Sequence, residues 1–167
     1  MGASSTNEVW ESGPAELVNV SKLFEDQAAL PWMLACAAII RAHKIISSRV
    51  TAVLAAAGGL SMARYEVLGL LYGVDTGELA VRELKLASFL HPPTLTYILD
   101  WLEERDLVVR KGNREDRRSV LIQITDPGRA LFEEATMALG EIDFGLQGLS
   151  KGDANAVARY LGRVQRA

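Results

Sequence analysis

Apolar positions recur every three to four residues over much of the chain, and then the pattern switches abruptly. Leu17, Val20, Leu23 and Phe24 share one helical face between Ala15 and Leu30. Pro31 suits a first turn and not an interior, so the helical pattern breaks or restarts there. From Trp32 to Ala57 neither Pro nor Gly occurs and Ala is abundant, which predicts one long helix. Its small side chains admit close approach of another helix, and an alanine-rich run of this length calls for a packing partner in water. Gly58-Gly59 ends it.

Ser61 can cap a second helix to about Tyr72, with Tyr65, Leu68 and Tyr72 on one stripe. Gly73 to Ala80 holds two glycines and two acids and reads as a loop. Val81 to Phe89 reads as a short helix with Leu84 and Ala87 or Ser88 inward. Pro92 and Pro93 then open a helix to about Arg105, whose Leu95, Ile98, Leu99 and Leu102 form a clean buried stripe. After Leu107 the period becomes strand-like. Val108-Val109-Arg110 and Ser119 to Thr125 flank a charged tip, Lys111 to Asp116, and together predict a hairpin. Thr125 can cap a helix from near Pro127 to about Leu146, and Ser150 can cap a last helix to the C-terminus.

Helix, short helix, turn, helix, hairpin is the order of a winged helix-turn-helix. The expected fold is mainly α with a small β wing, with long helices on either side. The expected division is a flexible tail over 1–13, a helical region over 14–59 and 126–167, and a winged helix over 60–125.

Composition fits this reading. The chain has 167 residues, 49% hydrophobic and 23% charged, as in an ordinary globular domain. The longest uncharged apolar run, Ala28 to Ile40, is too short to span a bilayer, so no membrane association is expected. The single Cys36 rules out an internal disulfide framework and suits a reducing cytoplasm. The net charge of −3 opposes binding to nucleic acid only until it is resolved by region. Val109 to Arg118 holds five cations, Arg110, Lys111, Arg114, Arg117 and Arg118, against Glu115 and Asp116, a local balance of +3. Acids gather at 8–26, 75–83 and 133–143.

Double-stranded DNA is therefore the expected partner. The recognition helix offers Pro93, Thr94, Thr96 and Tyr97 near its N-terminus, where such helices reach base edges. Thr can donate or accept a hydrogen bond, and its methyl can touch thymine. An Arg at the wing tip can enter a minor groove. Asp116 is expected to pair with Arg117 or Arg118 and fix the hairpin.

Asp116-Arg117-Arg118-Ser119-Val120-Leu121-Ile122-Gln123-Ile124-Thr125, followed by Gly128, resembles the wing signature of the MarR family of bacterial transcription regulators. Thr94-Leu95-Thr96 through Asp100, Leu102-Glu103, Leu107-Val108 and Arg110 resemble that family's recognition helix and its exit to the wing. The resemblance covers Leu60 to Leu131. It implies a homodimer whose N- and C-terminal helices interlock and place two winged helices on a pseudo-palindrome. It also implies a repressor released by a small aromatic or phenolic effector bound between the dimer helices and the winged helix. Trp32, Met33, Met62 and Tyr65, with His43 at the edge, are the pocket candidates on this reading, although each taken singly also suits a packing role.

The chain departs from the family pattern where Tyr97 replaces a common Arg, Trp101 another common cation, and Asp106 the usual Gly. Asp tolerates the left-handed conformation, so the turn at 106 is expected to persist. Cys36 lies among alanines with no activating cation, and a buried inert thiol is expected in place of a redox sensor. His43 and His91 are far apart and lack a Cys partner, so neither a metal nor another cofactor is expected. No nucleophile elbow or phosphate loop is present, which argues against an enzyme. A winged helix that dimerises and binds a protein partner is the alternative raised by the cation-poor recognition helix.

Overall fold

The computed structural model describes residues 30–88, 90–112 and 119–164. The chain divides into two units, 1–44 and 45–167. In the first, 30–44 are helical and largely exposed. They belong to α1 (Leu30–Ala56), and the expected break or restart at Pro31 turns on residues outside those described. The expected helix over 15–30 otherwise lies outside the described residues. Cys36 corrects an expectation: its thiol is exposed, not buried. A single stretch of helix encloses none of its own side chains, so alanine neighbours do not hide the sulfur.

In the second unit, α1 reaches Gly58 and Gly59, which end it at φ of 70° and 72°, a region glycine enters without the Cβ clash. Ser61 caps α2 (Met62–Tyr72) by accepting from the Arg64 amide at 3.3 Å. The segment expected as a plain loop contains a strand, β1 (Glu78–Ala80). Three residues are too few for a period to show, and β1 exists because β3 pairs with it. α3 (Val81–Ala87) follows, with Ala80's amide donating to Glu83 Oε2 at 2.7 Å across its first turn. Leu84 is its buried position, and Ser88 just past its end is buried as well.

α4 (Pro92–Glu103) buries Leu95, Ile98, Leu99 and Leu102, the whole expected stripe. Asp106 holds φ of 57° in the turn that leaves it. β2 (Val108–Gly112) and β3 (Val120–Ile124) form the hairpin. The sheet is antiparallel in the order β1-β3-β2, with Leu79 opposite Ile122 and Val108 opposite Ile124. The wing is thus rooted in three strands, not two.

Thr125 caps α5 (Asp126–Gly140). That helix stops six residues short of the expected Leu146 and gives way to a 3-10 turn, Asp143–Gly145. Asp143 and Phe144 have φ of 47° and 53°, which no α-helix sustains. The turn brings Gly145 against Ile46, where an added Cβ would lie 3.3 Å from the Ile46 backbone oxygen, and Arg49 donates to the Gly145 carbonyl at 3.0 Å. α6 (Lys151–Val164) begins after Ser150, whose Oγ accepts from the Asp153 amide at 3.2 Å. One core joins Val50 and Leu54 of α1 to Val67, Leu68 and Leu71 of α2, the α4 stripe, Ile122 and Ile124 of β3, and Ala135 and Leu139 of α5.

Candidate nucleic-acid interface

With one face of α4 buried, the other presents Pro93, Thr94, Thr96 and Tyr97, all exposed. Proline at 92 and 93 removes two of the four first-turn N–H groups, and Leu95's amide donates to the His91 carbonyl at 3.1 Å. The His91 and Thr94 amides remain as the helix-end donors, two in place of four, so this helix end is a weaker anion site than an ordinary one. Thr96 Oγ1 donates to the Pro92 carbonyl at 3.2 Å. Its proton is committed within the helix, leaving lone pairs to face outward. Tyr97 is 64% exposed.

The two edges of α4 differ in charge. On the wing edge, Arg110 folds back from β2 and pairs with Asp100 at 2.6 Å and with Glu103. Its backbone amide also donates to Glu103 Oε1 at 3.2 Å. The sequence placed Arg110 among the DNA-contacting cations of the wing; the geometry also makes it a tie between hairpin and helix, paired with two carboxylates. Lys111 is exposed on β2. Arg114, Asp116, Arg117 and Arg118 lie outside the described residues.

On the α2 edge, the Arg64 guanidinium stacks 3.8 Å from the Trp101 ring centroid, and that of Arg105 lies 3.9 Å from it. Arg64 is also 6.0 Å from the Tyr97 ring. Neither arginine stood out in the sequence. Arg105 is four residues beyond Trp101, in the turn just after α4, a legible spacing, whereas Arg64 arrives from another helix and leaves no local signal.

Comparison with known proteins bears directly on this geometry. The HTH-type transcriptional regulator MhqR of Bacillus subtilis is 31% identical over 107 residues, 64% of this chain and 72% of that protein. The structure of Sco5413, a MarR family transcriptional regulator from Streptomyces coelicolor, is 33% identical, covers 81% of this chain and 93% of its own, and superposes with a TM-score of 0.73. The chain belongs to the MarR family.

A model of the MarR family matches residues 58–119, the helix-turn-helix and the first part of the wing. The organic hydroperoxide resistance transcriptional regulator of B. subtilis is 37% identical over 92 residues, 55% of this chain and 58% of that protein. Sco3205, a MarR family regulator of S. coelicolor solved in complex with DNA, shares the fold at a TM-score of 0.72 and 17% identity, covering 80% of this chain and 85% of its own. This MarR family chain is a DNA-binding transcriptional regulator, and its relatives are regulators, not enzymes. Among the described residues no helix is long and apolar enough to cross a membrane, and no group of His, Cys, Asp or Glu could hold a metal ion.

The effector candidates fall in different units. Trp32, Met33 and His43 belong to 30–44, where Trp32 is 80% exposed and His43 is exposed. Met62 and Tyr65 lie on α2. Tyr65 stacks on Phe132 of α5 with ring centroids 5.0 Å apart, and its hydroxyl shares a 2.9 Å hydrogen bond with Thr136. In front of that pair lies an open cleft of about 350 Å³, lined by Tyr72, Phe132, Glu133, Thr136 and Met137. Tyr72 donates to Glu133 Oε1 at 2.8 Å. Of the cleft residues, sequence reading noted only Tyr72, as part of a helical stripe. Phe132 and Thr136 are four apart on α5, a spacing that becomes informative only once α5 is known to face α2.

Proposed function

We propose that this MarR family regulator acts in the cytoplasm as a homodimeric repressor, released from a pseudo-palindromic operator by a small phenolic effector. The observation that carries the proposal is α4, a helix buried on one side by four aliphatic residues and bare on the other, next to a wing. Residues 60–125 form the DNA-binding domain, and 14–59 with 126–167 form the dimer region. Thr96, its proton occupied, offers an acceptor to adenine N6 or cytosine N4 in the major groove. Pro93, Thr94 and Tyr97 flank it. Lys111, Arg114, Arg117 and Arg118 supply phosphate and minor-groove contacts, and Asp116 steadies the wing. Arg110 acts through the position it gives the hairpin.

The dimer is supported by α6, which buries none of its residues yet carries Val157, Tyr160, Leu161 and Val164 on one stripe, each exposed. Such a face suits a second copy of the same helices. The effector is supported by the cleft at Tyr72 and Phe132, where a planar ring has an aromatic wall and a phenolic hydroxyl can donate to Glu133. An aromatic acid would meet the Glu133 carboxylate and be disfavoured.

Binding to duplex DNA from upstream of the protein's own coding sequence, measured at two salt concentrations, tests the reading. Binding should weaken steeply with salt, because each neutralised phosphate releases counterions. Addition of a simple phenol should then release the duplex. Absence of binding, or binding indifferent to salt, contradicts the DNA reading; retention of the duplex with every phenol contradicts the effector.

A further inference from the structure

The recognition helix poses an electrostatic problem. From Pro92 to Glu103 it carries no Lys or Arg, and its Asp100 and Glu103 are both acidic. The first cation beyond it on the wing, Arg110, is cancelled by those two carboxylates. A helix of this kind repels the phosphates it must lie between.

The opposite edge answers the problem. We propose that Arg64 and Arg105, stacked on Trp101, form a phosphate-binding edge that seats the recognition helix on the DNA backbone. The inference rests on the DNA-binding reading and adds residues to it. An arginine held by an aromatic face keeps its full charge, because the ring supplies a quadrupole and no counter-charge. Arg64 has no carboxylate partner among the described residues; it donates to the Gly59 carbonyl at 3.3 Å, and its Nε is buried without a partner. Among the described residues Arg105 meets only one carboxylate, Glu104, at 3.7 Å between two exposed side chains, and it donates to the Trp101 carbonyl at 3.3 Å. Such an exposed pair is weak and readily exchanged for a phosphate.

Position agrees with charge. Arg64 lies in the first turn of α2 and reaches Tyr97 as well as Trp101, so the cationic edge is continuous with the exposed reading face of α4. α2 is not part of the helix-turn-helix itself; its arginine reaches the interface by stacking on two residues of α4. Stacking also orders two long side chains before DNA arrives, so less rotamer freedom is lost on contact. Trp101 thus stands in for a cation by gathering two.

The experiment compares the full-length parent with Arg64→Gln, Arg105→Gln, Arg64→Lys and Trp101→Leu on duplex DNA from upstream of the gene, across a salt series. Each Gln variant should bind about five- to twenty-fold more weakly, by a similar factor on duplexes with altered half-site bases, and the log–log salt slope should shrink by about one to two. Arg64→Lys keeps the charge and should retain most of the slope while losing part of the affinity, since ammonium does not stack as guanidinium does. Trp101→Leu keeps both charges but removes the ring that orders them, and should likewise retain most of the slope while losing part of the affinity. Thermal unfolding of each variant separates the alternative: a lowered midpoint with an unchanged salt slope shows a structural stack only and overturns the proposal. A parent that binds no duplex overturns the DNA reading and this inference with it. A parent that binds, with Gln variants of equal affinity and slope, overturns this inference alone.

Discussion

Glu66 shows how a single carboxyl can tune stability. It sits partly buried on α2, and desolvation raises its pKa above the ordinary carboxylate value. The folded chain therefore holds that proton more tightly than the unfolded chain does. The ionised form opposes folding above the folded pKa, and the penalty fades as pH falls through it. Glu66→Gln should raise the unfolding midpoint at about pH 7, and the gain should shrink as pH falls and vanish below the ordinary Glu pKa of about 4.3, at about pH 3, where both states of the parent carry a proton. An equal gain at both pH values would point to packing in place of charge. Residue-scale features of this kind were only half legible. Ser61 and Thr125 as caps, and Asp106 in its left-handed turn, follow from local chemistry and could be read directly. The exposure of Cys36 could not, because burial depends on what the rest of the chain lays over a position.

Among the elements, the tie between wing and recognition helix can be isolated. Arg110 spans from β2 to Asp100 and Glu103, and all three side chains remain partly open to solvent. A double-mutant cycle with Arg110→Ala and Glu103→Ala should give a coupling of about 0.5–1 kcal/mol, the range for an accessible pair. Zero coupling would mean the hairpin holds its place by strand pairing alone. This link was invisible in the sequence, where Arg110 counted toward a run of cations. Asp100 and Glu103 are three apart on α4, but only the return of the chain through β2 brings a cation to them. The long periodic helices were legible because 3.6-residue spacing repeats within them. β1 was missed because its three residues are defined by a partner more than forty positions away. The early end of α5 was missed because backbone at positive φ leaves little trace outside glycine.

At the level of the whole molecule, the prediction concerns assembly. α6 has a regular apolar stripe and no buried residue, which a chain in isolation gains nothing from. Tyr160→Glu combined with Val164→Glu should halve the mass seen in sedimentation and weaken operator binding, because two reading heads would no longer bind as one. An unchanged mass would remove α6 from the interface. The net charge of −3 also acquires a clearer meaning at this scale. The acids lie largely outside the wing, so the proposed reading draws its attraction for DNA from the wing cations and the stacked arginines beside α4.

The junction between the hairpin and α5 has a mechanical consequence. Thr125 Oγ1 donates to the Asp106 carbonyl at 2.6 Å and accepts from the Gly128 amide at 3.1 Å, while its own amide donates to the Leu107 carbonyl at 3.1 Å. Gly128 lies so close to Leu107 that even a methyl group would collide with that same carbonyl. These contacts rivet the start of α5 to Asp106 and Leu107, in the turn that leaves α4. The two helices then behave as arms of one crank. Since α4 is about 18 Å long, a 5° turn of the crank carries its far tip by about 1.6 Å, enough to spoil the register of a hydrogen bond to a base.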